Sequence, residues 1–165
     1  MPGQGLTVDE VMAILPETPR RIAALTDGLT PTKLRASPEP DAWWLNDLLA
    51  HLRACHDVLG GSILRIVSED TPMWKRESPR SWIRETDYPD WEFAPAFAAF
   101  KEQRASLLKV LERLPPDGWD RFAMVTDRDG EIEPRTVLYY GDWLAEHERQ
   151  HWEHLEGIVA ALRER

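Results

Sequence analysis

Toward its C-terminal end the chain reads Glu146-His147-Glu148-Arg149-Gln150-His151-Trp152-Glu153-His154. On a helix of 3.6 residues per turn, positions four apart lie about 40° out of line and positions seven apart about 20°. His147, His151 and His154 therefore share one face. Apolar residues keep the same period on either side, with Val137, Tyr140 and Leu144 before the stretch and Leu155, Ile158, Val159 and Leu162 after it. His147 and His151 stand where Leu or Val would continue that face. The pattern predicts one long last helix whose inward stripe changes from aliphatic to imidazole. Neutral imidazole is a borderline ligand, so this stripe is a candidate divalent-metal surface.

Working outward, three more helices are predicted. Thr7-Val8-Asp9-Glu10 has the form of a capping box and starts the first, which Pro16 and Pro19 kink or split and Asp27-Gly28 ends. Residues 30–40 read as a connection with one short helical turn around Lys33 and Leu34. Leu45, Leu48, Leu49, Leu52, Val58, Leu59, Ile63 and Ile66 recur at helical spacing through residues 43–67, where Gly60-Gly61 marks a kink or a close helix contact. Residues 70–91, with Pro72, Pro79, Pro89 and three tryptophans, are the least regular segment, and a loop of that length is more often functional than idle. Asp90 is expected to cap a third helix running from Phe93 to Leu114, with Pro95 in its first turn and Pro115-Pro116 as its stop. Asp127-Arg128-Asp129-Gly130 reads as a turn between short extended pieces at 122–126 and 131–133, a small β-ribbon before the last helix. The expected architecture is one all-α domain over residues 1–165, a four-helix bundle with a long irregular segment. Bundles of this kind build metal sites from facing helices.

The spelling His147-Glu148-Arg149-Gln150-His151 also matches the H-E-x-x-H pattern of zinc proteases. Extended zincin patterns place a third ligand downstream, and few residues follow His151. The metzincin form wants Gly three positions after the second His, where this chain has His154. The protease reading is weak on both counts. A better third candidate is His51, set among Leu48, Leu49, Ala50 and Leu52. It is either a satisfied core histidine or a ligand from a facing helix, and a His-x-x-x-His pair elsewhere favours the ligand. Two ligands from one helix and one from another leave coordination positions open.

The 165 residues carry 20 basic and 29 acidic side chains, a formal charge of −9 that disfavours nucleic acid and anionic membrane surfaces. The densest basic cluster, residues 75–84, is interleaved with Glu77, Trp74 and Trp82 and reads as a solvated loop or a pocket rim. A single cysteine, Cys55, suits a reducing compartment. No apolar run approaches a membrane span, and Met1-Pro2-Gly3-Gln4-Gly5 lacks a signal pattern, so a cytoplasmic location is expected.

Several pieces then align in order: Leu25-Thr26-Asp27-Gly28-Leu29 followed by Leu34, Trp43 with His51-Leu52 eight residues on, Asp87-Tyr88, residues 111–116, and His147-Glu148-Arg149-Gln150-His151. Together they resemble the DinB superfamily, also described as DinB/YfiT-like metalloenzymes, over nearly the whole chain. The resemblance implies a metal site on His51, His147 and His151, holding Zn²⁺, Ni²⁺ or Fe²⁺. It also implies a homodimer and an activity on small molecules. Characterised relatives include thiol S-transferases that use bacillithiol or mycothiol and a mycothiol-dependent maleylpyruvate isomerase. The first expectation is a low-molecular-weight thiol attacking an electrophile. A metal-dependent hydrolase and a non-catalytic metal-binding or stress-related protein are the alternatives.

One departure is Trp44, where the family often has Ser after the tryptophan; the cap is then expected at Asp41 or Asn46. Among neighbours of the stripe, His154 is a fourth ligand, an outer group or a surface residue. Cys55, one turn after His51, is a thiolate ligand, a reactive group or a small core residue. Asp47 either orients His51 or simply faces solvent at the helix start. Tyr140 and Trp143 line a pocket or pack the core. Glu148 points about 100° away from His147 and is poorly placed as a base. His56 lies off the His51 stripe.

Overall fold

The computed structural model describes residues 5–37 and 39–164; the expectations placed on Met1-Pro2-Gly3-Gln4 and on Pro38 lie outside the described residues. Helices dominate. The first arm of the bundle is split into α1, Val8–Ile14, and α2, Glu17–Thr26. Thr7 and Glu10 form the expected capping box, with Glu10 N–H donating to the Thr7 hydroxyl at 3.2 Å and Thr7 N–H to the Glu10 carboxylate at 2.7 Å. The break falls at Pro16, and Pro19 sits in the first turn of α2, where its missing N–H has no intrahelical partner to lose. Gly28, at φ +76°, turns the chain out of α2. A short α3, Pro31–Arg35, follows, capped by Thr30.

The second arm is α4, Leu45–Cys55, then one π-helical turn, His56–Gly60, then α5, Gly61–Ser68. Neither Asp41 nor Asn46 caps α4. Asp47 accepts the Trp44 N–H at 3.1 Å instead, while Asn46 is fully buried and gives its amide to the carbonyls of Tyr88, Pro89 and Trp91 at 3.2, 3.2 and 2.7 Å. Burial decides this: an interior amide needs partners, and the irregular segment supplies three. Of the two readings of Gly60, the close contact holds. The helix opens by one residue there, and a Cβ on Gly60 would stand 3.0 Å from the His56 ring and 3.5 Å from Leu107.

Residues 70–91 are more ordered than their prolines imply. They contain β1, Met73–Lys75, then α6, Pro79–Arg84, and a 3₁₀ turn at Tyr88–Asp90. Asp90 belongs to that turn, its N–H bonded to the Asp87 carbonyl, so α7 starts at Phe93–Glu112 with Glu92 before it and no side-chain cap. The ribbon is present as β2, Phe122–Thr126, and β3, Ile132–Thr136, antiparallel, with Phe122 opposite Thr136. It gains a third member because β1 pairs parallel to β2, Met73 facing Met124. The last helix, α8, is Val137–Arg163, capped by Thr136. No helix among the described residues is long and apolar enough to cross a membrane.

The core forms two clusters. One gathers Val11, Leu15, Leu59, Ile63, Leu107, Leu111 and Leu144; the other gathers Ile22, Leu48, Leu52, Phe97, Phe100, Leu155 and Leu162. Between them along α7 and α8 lie Arg104, 1% exposed, and Glu148, 0% exposed. The pair is bidentate, Arg104 Nη1 to Glu148 Oε1 at 2.8 Å and Nη2 to Oε2, and Nη1 also donates to the Leu15 carbonyl at 2.7 Å. One guanidinium thus joins α7, α8 and the end of α1. Removing one partner strands a charge in the interior, at a cost of about 3–5 kcal/mol. Glu148→Gln is therefore expected to lower unfolding free energy in urea by that amount while leaving metal content unchanged, and Arg104→Met with Glu148→Met is expected to recover most of it.

Candidate metal centre

His51 comes from the middle of α4, and His147 and His151 from consecutive turns of α8. The structure brings all three together. His51 Nε2 lies 3.1 Å from His147 Nε2, and His151 Nε2 lies 3.2 Å from the same atom. Ligand atoms of the three all fall within 4.8 Å of one another. Bonds of about 2.0–2.1 Å at tetrahedral angles would set ligand nitrogens about 3.3 Å apart, close to the observed spacing. Hydrogen bonding alone accounts for the cluster poorly. His147 Nε2 has either one proton or one lone pair and can serve one neighbour well, not two. His147 Nδ1 is buried and has no hydrogen-bond partner among the described residues. A cation accepting three lone pairs resolves the crowding, so these residues fit a divalent metal.

The electrostatics suit the same role. Burial, followed by the His147 and His151 rings, Arg80 and His154, lowers His51 to about 4. Burial and then His151 lower His147 to about 4, and burial with His154 lowers His151 against an opposing pull from Glu148. At neutral pH all three imidazoles keep their lone pairs available.

The neighbours sort clearly. His154 is exposed and outside the triad, its ring stacked on Trp43 at 5.6 Å. Trp43 also lies 5.4 Å from the His51 ring. Cys55 is a buried core residue with Sγ 3.8 Å from His51 Nε2, and burial, reinforced by Glu148, pushes its thiol up to about 12. Asp47 is taken by the Trp44 amide. Tyr140 is buried in the first cluster. Trp143 lines a cavity of about 280 Å³ together with His51, Cys55, Leu59, Ser78, Pro79, Arg80, Arg128 and His147. Glu148 faces Arg104 and has no part in the cavity. His56 is buried against Phe100, with burial and then Arg104 holding it well below the usual range.

Residues 75–84, read from sequence as a loop or a pocket rim, supply the cavity with Ser78, Pro79 and Arg80. Arg128 carried no signal, since only folding the ribbon beside β1 brings its turn to the cavity. Arg104 likewise was not singled out, because its partner Glu148 is 44 residues away on another helix.

No curated protein matches the chain. Among solved structures it is similar to YfiT from Bacillus subtilis, described as a "probable metal-dependent hydrolase with an unusual four-helix bundle topology". The TM-score is 0.74 at 17% identity, covering 99% of this chain and 93% of that one, a likeness of fold. A family model matches residues 14–155, and with it the chain belongs to the DinB superfamily.

Proposed function

We propose that this chain is a metal-dependent enzyme of the thiol S-transferase type, in which His51, His147 and His151 hold Zn²⁺, Ni²⁺ or Fe²⁺. A low-molecular-weight thiol would give its proton to solvent and form a bond from sulfur to an electrophilic carbon of a small molecule, as that carbon's bond to a leaving group, or its π bond, breaks and the departing electron pair takes up a proton from solvent. The observation that carries this reading is the cavity that His51 and His147 line, which has no carboxylate among its lining residues. A divalent cation there would lower the pKa of a thiol or water beside it. With no Asp or Glu to share the work, the nucleophile must be one that ionises readily. A free thiol ionises near 8.5 and needs only roughly 2 units of help; a bound cation can also bring water from near 15.7 to about 7, so added thiol is the variable that separates the two chemistries. Cys55 does not replace that thiol, because its side chain is buried in the core.

Hydrolysis is the second reading, supported by the description of the YfiT structure. A non-catalytic metal-binding protein is the third, supported by Cys55 standing 3.8 Å from His51 Nε2, where it could help close the coordination shell. A homodimer in a reducing, cytoplasmic setting completes the proposal, and sedimentation of the purified chain checks the dimer.

Elemental analysis of gently purified protein tests the site first. His51→Ala and His151→Ala are each expected to drop metal content at least tenfold, and undiminished content in both would sink the site. Kinetics test the chemistry: consumption of an electrophile is expected only with added thiol, whereas consumption without it would favour the hydrolase. The pH dependence follows from the imidazoles. His51 and His147 are depressed to about 4 and His151 is lowered as well, so protons compete for these ligands only below the ordinary histidine range and metal affinity should begin to fall at a lower pH than about 6.5. Exposed histidines near 6.5 would instead begin losing metal at pH 6.5, which a competition titration with a chelator distinguishes.

A further inference from the structure

The cavity lined by His51 and His147 has a charge opposite to the net charge of the protein. The chain carries −9, yet the charged residues that line the cavity besides the histidines are Arg80 and Arg128. Neither guanidinium has an ion pair or hydrogen bond among the described residues. Both are exposed; the arginines at 20, 21, 35, 65, 104, 135 and 149 hold carboxylates, while those at 53, 76, 84 and 113 have no ion pair among the described residues either. Carboxylates do stand beside Arg128 in sequence, but Asp127 spends its Oδ1 on the amides of Asp129 and Glu131, at 2.9 and 3.0 Å, to shape the turn. Ser78, also lining the cavity, makes no cap bond to α6 and keeps its hydroxyl available.

Arg80 is held in place by more than its own short helix. Two turns of chain chemistry converge on Asp57 of the π-helical segment: its Oδ2 accepts Trp82 Nε1 at 2.9 Å and Tyr88 Oη at 2.5 Å, and its Oδ1 accepts Gln103 Nε2. Trp82 lies on α6 two residues after Arg80, so this network ties the arginine's helix to the arm that carries His51. A second cavity, of about 140 Å³, adjoins the first through Leu59 and Trp143 and adds Lys75 and Arg76, which also lack ion pairs among the described residues. That second cavity is also lined by Asp57 and Glu77, so a lining with arginine and no carboxylate belongs to the first cavity.

We propose that Arg80 and Arg128 form a clamp for the anionic group, carboxylate or phosphate, of a small organic substrate whose reacting carbon lies over His51, His147 and His151. Guanidinium is suited to both groups through parallel N–H donors. Trp143 adds an apolar surface to the same cavity. The position of the reacting carbon rests on the metal-site reading of the triad; the clamp itself does not.

The test is calorimetric titration of the full chain, zinc-loaded and metal-free, with succinate, inorganic phosphate and the neutral succinamide. Wild type is expected to bind at least one anion at least tenfold more tightly than succinamide. Arg80→Gln with Arg128→Gln should weaken that anion at least tenfold, Arg80→Lys with Arg128→Lys should recover part of it, and Arg113→Gln, an exposed control, should change nothing. The better of succinate and phosphate identifies the group. Absence of anion binding by wild type, a loss under tenfold in the double Gln variant, or an equal loss in the control overturns the clamp. Arginine-dependent binding by the metal-free chain reads the clamp even if His51→Ala and His151→Ala show that the triad holds no metal.

Discussion

The bidentate pair between Arg104 and Glu148 is the contact on which the arrangement of the bundle turns. It lies where the two apolar clusters meet, and it occupies the level of α8 at which the imidazoles also face inward. A helix that must place polar groups in an interior has to satisfy them at once, because each unpaired group costs several times what a paired one returns. Glu148 does so on one side of α8 by meeting Arg104 and, through it, the Leu15 carbonyl. His147 and His151 turn to the adjacent side and meet His51, where the three lone pairs together fit a divalent cation. The rotation of about 100° between His147 and Glu148 lets one turn of helix serve both tasks. It also explains why the glutamate of an H-E-x-x-H spelling is here a structural residue.

The second constraint is the π-helical turn at His56–Gly60. An inserted residue re-aims the side chains around it, and Asp57 emerges facing the irregular segment. With Trp82, Tyr88 and Gln103 on its two oxygens, that carboxylate converts residues 70–91 from a loop into a wall. Arg53 adds to the same seam by stacking over Tyr88 and Trp91 at 3.7 and 4.4 Å, and Asn46 pins the 3₁₀ turn from below. The wall carries Ser78 and Arg80 to the cavity above the triad. A proline-rich stretch has thus become a positioned part of the candidate site through a few polar bonds to α4 and its π-helical extension.

Much was legible in the chain itself. The capping box at Thr7, the break at Pro16, the periodic leucines of the second arm and the change from leucine to histidine on α8 are local patterns, governed by propensity and the 3.6-residue repeat. They suffice for a bundle and for three histidines on facing helices. The ribbon turn was legible for the same reason, since Asp127 and Gly130 act on their own backbone. What was not legible depends on partners far along the chain. Asn46 looked like a cap and is a buried bridge. Asp90 looked like a cap and belongs to a 3₁₀ turn. β1 has no identity until β2 lies beside it, and Arg104 reads as a surface residue until Glu148 is opposite.

The sequence by itself therefore determined the helices, their order and the imidazole stripe, because those follow from interactions within a few residues. Only the tertiary structure decided how close the three histidines come and that His154 and Asp47 stand apart from them. It alone spent Glu148 on an ion pair and lined the cavity with arginine and no carboxylate. Each of those outcomes is set by the separation of side chains from different elements, and separation in space is not written in any single turn of chain.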